Sequence, residues 1–239
     1  QNKTMANSRF SIGIDLGTTN CAMAYIDSQK EDGTAEVLNL PQIVQPGVYE
    51  DRKLLPSFLY LPQKGEFQNG AFKLPWGEEQ PFIVGEFAKT HGALVPTHLV
   101  SSAKSWLCHT AVNRRDKILP WKGNDESNKV SPLEASTLYL KHLVNSWNAQ
   151  FEAIDSDLKL EKQEVVLTVP ASFDADARDF TMEAAKEAGF KKISLLEEPQ
   201  AAFYSWLEAN KDTWREQVQE GDVILVIDVG GGTSDFTLI

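Results

Sequence analysis

Two short stretches near the ends of the 239-residue chain carry residue types that could handle a phosphate and its counter-ion. The first reads Ile12-Gly-Ile-Asp15-Leu-Gly17-Thr18-Thr19-Asn20 and the second Val226-Ile-Asp228-Val-Gly230-Gly231-Gly232-Thr233-Ser-Asp235. In each, an apolar strand ends in Asp-x-Gly, then come small residues with threonine, then another strand. Glycine permits a tight turn that brings backbone N–H groups close to an anion, and threonine hydroxyls add donors for phosphate oxygens. An aspartate at a strand end suits Mg²⁺, which keeps most of its waters and takes few protein ligands. Two such hairpins, one from each side, would clamp a triphosphate and its metal. A single Asp-x-Gly-x-Thr after a strand is an ordinary hairpin turn. The second copy, again directly after a strongly apolar strand, argues for two similar lobes that face each other. Neither copy has the lysine of a Walker loop or the spacing of a dinucleotide fingerprint.

The elements that must position these turns follow from the periodicity of the apolar residues. Residues 10–16 alternate with period two, and after a Gly-Thr-Thr-Asn break residues 21–26 follow, which predicts a β-hairpin. Further strands are expected at 35–40, 55–61, 165–169, 193–196, 223–227 and 236–239. Ser131-Pro132-Leu133-Glu134 combines an N-cap, a proline at the first helical position and a capping-box glutamate. Leu140, Leu143, Val144, Trp147 and Phe151 then recur along one helical face. A second helix runs over 174–188 and stops at Gly189. A third follows Pro199 and carries Ala202, Phe203, Trp206 and Leu207. Shorter helical stretches are expected at 86–93 and 99–107, surface loops at 62–81 and 113–129, and a linker at 210–221 that extends the third helix. Strands and helices in alternation make an α/β protein.

Composition narrows the function classes. Apolar residues are 42% and charged residues 24%, as in a soluble globular chain. A formal net charge of −11 disfavours broad electrostatic binding to nucleic acid or to an anionic membrane. Two cysteines, Cys21 and Cys108, cannot make a disulfide framework and fit a reducing compartment. No apolar run is long enough for a membrane span, and residues 1–9 lack a signal peptide's apolar stretch. A cytoplasmic location is the expectation. His91, His98, His109 and His142 form no metal spacing with either cysteine, and the tryptophans read as packing residues.

With these residues in place the chain resembles the actin–sugar kinase–heat-shock-70 superfamily, whose phosphate-1 and phosphate-2 motifs the two turns are similar to. Within it, Val165-Val-Leu-Thr-Val-Pro170-Ala-Ser-Phe173 followed by Leu196-Glu-Glu198-Pro199-Gln-Ala-Ala202 resembles the heat-shock-70 connecting segment. Val84-Gly-Glu-Phe-Ala-Lys89 with Ser102-Ala-Lys104 does the same, so the likeness runs in order over 10–239 and is closest to a divergent bacterial group. It implies an actin-like, ribonuclease H-like ATPase lobe I, a mixed sheet flanked by helices, ending just inside lobe II. Its subdomain IA would take 10–57 and 129–212, a remodelled IB 58–128, and the linker with the first IIA hairpin 213–239, after a disordered or tag-like tail at 1–9.

The resemblance also implies roles. Asp15 and Asp228 match aspartates that hold the Mg²⁺ water shell, and Asp235 an aspartate near the metal. Gly17, Thr18, Thr19 and Asn20, with Gly230, Gly231, Gly232 and Thr233, match the donors around the phosphates of ATP or ADP. Lys104 falls where the family keeps a lysine near the γ-phosphate and the attacking water, and Glu198 matches the glutamate that helps place that water. Pro170 and Arg178 match the relay between nucleotide state and the peptide-binding domain. Taken alone, Lys104 reads as a solvated helix charge, Glu198 as a carboxylate favoured by a helix dipole, Asp235 as a hairpin polar residue, Pro170 as a strand stop and Arg178 as a surface residue. The family's partners are unfolded polypeptides, a J-domain co-chaperone and a nucleotide exchange factor. A sugar- or acetate-type kinase and a non-catalytic nucleotide-sensing scaffold are the rival functions. With the rest of lobe II outside this sequence, the chain alone is expected to turn over no ATP and to self-associate through its last hairpin.

Overall fold

The computed structural model describes residues 8–31, 33–77 and 79–239. Of the expected 1–9 tail, residues 1–7 lie outside the described residues, whereas Arg9 belongs to the fold: its guanidinium donates to Asp27 at 2.8 Å. Strand β1 (Phe10–Leu16) and β2 (Asn20–Asp27) form the expected antiparallel hairpin. Period two puts Phe10, Ile12, Ile14 and Leu16 into the core, while Ser11, Gly13 and Asp15 face out on the opposite side. β2 pairs next with the short β3 (Glu36–Val37). β4 (Leu40–Gln45) and β5 (Val48–Arg52) make a separate hairpin, and β6 (Leu55–Pro56) returns to β2. A small sheet, order β8-β7-β9, joins β7 (Leu59–Tyr60), β8 (Ile83–Val84) and β9 (Leu99–Val100), with helix α1 (Glu86–Gly92) between the last two and α2 (Ala103–Leu107) after them.

The long helix α3 (Pro132–Phe151) begins as its residues dictate: Ser131 Oγ accepts from the Glu134 N–H at 3.0 Å, and Glu134 accepts from the Ser131 N–H at 2.7 Å. β10 (Glu164–Val169), α4 (Ala175–Ala188), β11 (Lys192–Glu197), α5 (Glu198–Ala209), α6 (Trp214–Gln217), β12 (Leu225–Val229) and β13 (Ser234–Leu238) complete the chain. Gly189 ends α4 in the left-handed region at φ 112°, where a side chain would be strained. The central sheet has the order β11-β10-β1-β2-β3 with β6 also on β2. It is parallel from β11 to β1 and antiparallel beyond, hence mixed. Its core packs β1, β2 and β10 against α3 and α4. Phe10, Tyr25, Trp147 and Phe151 lock α3 to the hairpin, with ring centroids 4.2 Å apart for Trp147 and Phe151 and 5.2 Å for Phe10 and Trp147.

Several expectations are corrected. Residues 35–40 are not one strand, since β3 stops at Val37 and Leu40 opens β4. Residues 55–61 split into β6 and β7, which lie in different sheets, because Ser57 between them turns to the β1–β2 loop. Residues 99–107 are not one helix: Leu99 and Val100 pair with β7, and Ser102 breaks the chain in a left-handed conformation before α2. The loop at 62–81 is not wholly a surface feature, for Phe72 is buried and Phe67 and Leu74 pack with it against Ile43, Tyr60 and Phe87 in a second apolar cluster. α5 ends at Ala209 and does not run on into 210–221, where only the short α6 forms.

Candidate functional site

The two Asp-x-Gly turns are built alike. In the first, the Gly17 N–H donates to Asn20 O at 3.0 Å; in the second, the Gly230 N–H donates to Thr233 O at 2.9 Å. The ladders match as well, Asp15 facing Ala22 in one hairpin and Asp228 facing Asp235 in the other. Every residue of the first turn therefore has a counterpart at the same offset in the second. The turns also meet: a Cβ at Gly231 would run into Thr19 Oγ1, and one at Gly232 would come within 2.8 Å of Thr18 Cγ2. Only glycine lets the second loop lie this close to the first.

Around the meeting point lies a cleft of about 880 Å³. Asp15, Gly17, Thr18, Thr19, Asn20, Lys104, Glu198, Asp228, Gly230, Gly231, Gly232 and Thr233 all line it. Residues from both ends and the middle of the sequence are thus brought together. Asp235 stands across the ladder from Asp228 but is not part of the lining, and neither are Pro170 and Arg178.

Each candidate side chain is held by an identifiable element. Asp15 lies next to the end of β1 on the sheet's outer face, and Thr168 at the same level of β10 donates to its Oδ1 at 3.3 Å. Lys104 sits in the first turn of α2 and Glu198 at the start of α5, and the ammonium donates to Glu198 Oε1 at 2.6 Å. The pair is well shielded, with 10% and 17% of the side chains exposed. Burial pushes the Glu198 carboxyl above the usual glutamate range, against the pull of Lys104, with Asp15 and Asp228 adding to the rise. Two residues before Lys104, Ser102 has φ 56°; it is the one non-glycine residue with positive φ among the described residues. Such a conformation costs of order 1 kcal/mol or more and marks a place where the surroundings dictate the backbone.

Ser57 and Thr168 escaped the sequence reading. Ser57 braces the first turn: its Oγ donates to Gly17 O at 2.7 Å and its N–H to Thr19 O at 2.9 Å, while Cys21 Sγ lies 3.2 Å from that hydroxyl. Burial in this brace raises the Cys21 thiol to about 12, so it is an inert packing group. A serine after proline carries no signal of its own. The one available for Thr168 was a hydroxyl in the otherwise apolar run Val-Val-Leu-Thr-Val.

The donor set fits a hydrated divalent cation. Asp228 and Asp235 face each other across the hairpin, a like-charge pairing that costs stability unless a cation offsets it. Among the described residues no three His, Cys, Asp or Glu side chains converge to cage an ion. An ion held here would keep most of its waters, as Mg²⁺ does.

Comparison with known proteins shows the family. The family model described as "Hsp70 protein" matches residues 76–239. The chain belongs to the Hsp70 family. It is 30% identical to chaperone protein HscA of Enterobacter sp. (strain 638) and 32% identical to the HscA homolog of Histophilus somni (strain 2336), each over 97% of this chain. HscA of Escherichia coli O139:H28 is 31% identical over the same share. The chain spans about a third of the length of these Hsp70 relatives, 32% in each case. No helix among the described residues is long and apolar enough to cross a membrane.

Proposed function

We propose that this chain is the first-lobe part of the ATPase domain of an Hsp70-type chaperone, and that its cleft binds Mg-ATP. The carrying observation is the matched pair of turns, equal in hydrogen bond and register, that meet at one cleft also lined by the shielded Lys104–Glu198 pair. On this reading 10–57 and 129–212 are subdomain IA of an actin-like lobe, 58–128 subdomain IB, and 213–239 the linker and first hairpin of IIA. The central sheet falls in the first set and the β8-β7-β9 sheet in the second, which supports the division.

Hydrolysis is attack by water on the γ-phosphorus, in line with the β–γ bridging oxygen, which leaves with the bond's electron pair to give ADP and phosphate. Catalysis of such a transfer is nearly all positioning and charge stabilisation. Backbone N–H groups and hydroxyls at Thr18 and Thr19, with Gly231, Gly232 and Thr233, would hold the phosphate oxygens, while the Gly17 and Gly230 N–H groups close the two turns that present them. The Glu198 carboxylate accepts a hydrogen bond from the attacking water and orients it, and Lys104 balances the charge that gathers on the γ-phosphoryl oxygens. Asp15 and Asp228, with Asp235 across the ladder from Asp228, would hold hydrated Mg²⁺, which when bound would neutralise phosphate charge. In the whole protein, turnover would control the binding of unfolded polypeptides, with a J-domain co-chaperone and a nucleotide exchange factor as partners.

Calorimetric titration of Mg-ATP and phosphate release, in this chain and in the whole protein, test the reading. Tight binding and peptide-stimulated release are expected of the whole protein, and weak binding without turnover of this chain. Phosphate transfer to a sugar or to acetate would replace the reading with the kinase one. Binding without release in the whole protein would replace it with the nucleotide-sensing scaffold.

A further inference from the structure

Glu197 and Glu198 are adjacent in sequence and face different cations. Glu198 accepts from Lys104 in the cleft at 2.6 Å, whereas Glu197 accepts from Arg178 Nη2 outside it at 2.8 Å. Glu197 is the N-cap residue of α5, yet its side chain caps nothing: it makes no hydrogen bond to the N–H groups of the first turn. A glutamate at an N-cap is a poor choice for helix stability, so its carboxylate serves Arg178 instead. Arg178 is equally misplaced by helix electrostatics, a cation in the first turn of α4 where the dipole is positive. Three contacts keep it there. Besides Glu197, its Nε donates to Phe173 O at 3.1 Å and its Nη2 to Ala171 O at 3.4 Å. Phe173 in turn presents its ring to the Lys104 ammonium, 5.9 Å from the centroid.

These contacts close on themselves. From Lys104 the path runs to Glu198, across one peptide bond to Glu197, then to Arg178, to Phe173, and back to Lys104. We propose that Glu197 is a positioning residue of the hydrolytic site: anchored by Arg178, it fixes the peptide that carries Glu198 and keeps that carboxylate on Lys104. The inference rests on the ATPase reading for its kinetic consequence and on this chain's own geometry for the rest.

The Arg178–Glu197 pair is about a third exposed on each side, 31% and 33%, so its loss should leave folding nearly untouched. Glu197→Gln keeps the size and removes the charge. Two measurements separate the inference from the reading beneath it. In this chain, NMR of the ¹⁵N-labelled Lys104 ammonium should give a slowly exchanging signal. Glu197→Gln and Arg178→Met should each weaken it, and their double variant should do no more than the worse single. Glu183→Gln, which removes the Arg115 ion pair on the same helix, should leave it unchanged. In the whole protein, Glu197→Gln should lower kcat for ATP hydrolysis about tenfold, with KM and Tm close to wild type. A Lys104 signal indifferent to Glu197→Gln overturns the proposal whether or not the protein hydrolyses ATP. So does a fall in Tm that accounts for the lost activity. A wild-type protein that hydrolyses no ATP would sink the ATPase reading alone, and the Lys104 signal would still decide on Glu197.

Discussion

At the scale of single residues, the site turns on one lysine and one glutamate. Their 2.6 Å contact is largely withdrawn from water, where a charge pair is felt more strongly than at the surface. Burial nevertheless outweighs Lys104, and the Glu198 carboxyl titrates above the ordinary range. On the proposed ATPase reading, orienting water requires the carboxylate, so in the whole protein kcat should fall as acid protonates Glu198, at a pH above that of an exposed glutamate. Lys104→Met removes the nearest cation that favours the charged form. It should move this acid limb to still higher pH and lower kcat by about a hundredfold or more, with little change in nucleotide affinity. A pH–rate series of phosphate release on both forms checks the direction and the size. An unchanged limb would mean that Glu198 does not orient the water.

At the scale of elements, the sheet's outer face carries Asp15 and Thr168 because its inner face is held by α3 and α4. α3 is in turn pinned to β4 through His142, whose Nε2 lies 2.8 Å from Pro41 O in a fully enclosed setting. A carbonyl only accepts, so Nε2 carries the proton in the neutral ring. Burial lowers the imidazole to about 4 from 6.5. The unfolded chain binds this proton near pH 6.5 and the folded one refuses it until about pH 4, so in that window the unfolded state holds more protons. Stability therefore falls as pH drops through the window, by up to about 3 kcal/mol from this residue. His142→Gln keeps a donor for Pro41 and has no proton to take. Its Tm should be flatter between pH 6.5 and 4 than that of the wild type, and parallel curves from scanning calorimetry would refute the assignment.

At the scale of the whole molecule, β12 and β13 stand apart from the central sheet as a two-stranded ribbon. One of its faces bears the cross-strand pairs Leu225–Leu238 and Ile227–Phe236 together with Val229, all exposed, Phe236 at 68%. An isolated hairpin is marginal in water, and open edges beside apolar side chains invite strand pairing. This chain by itself should therefore self-associate at high concentration, and Phe236→Lys with Leu238→Lys should return it to a monomer without disturbing the core around α3. Sedimentation of the two forms decides it: a wild-type monomer at high concentration would show that the ribbon is protected in some other way.

Much of the molecule was legible in the amino-acid order, because its determinants are local. The β1–β2 hairpin, the capping box of α3, the Gly189 stop and both Asp-x-Gly turns depend on residues a few positions apart, so period and turn chemistry sufficed. The breaks at Ser57 and Ser102 were not legible, since each follows from a partner far along the chain: Gly17 for the first, the pairing of β9 with β7 beside the second. Nor could spacing reveal that the loop at 62–81 buries Phe72, because what decides burial is the surface on the other side. Sequence by itself offered the two Asp-x-Gly turns as candidates for phosphate and metal, and the family resemblance added Lys104 and Glu198 for water. Tertiary structure alone decided that Lys104 meets Glu198, that Thr168 meets Asp15 and that Glu197 is taken by Arg178. Ion pairs and hydrogen bonds act over a few ångströms of space, and only the packing of sheet and helices brings such distant residues within that range.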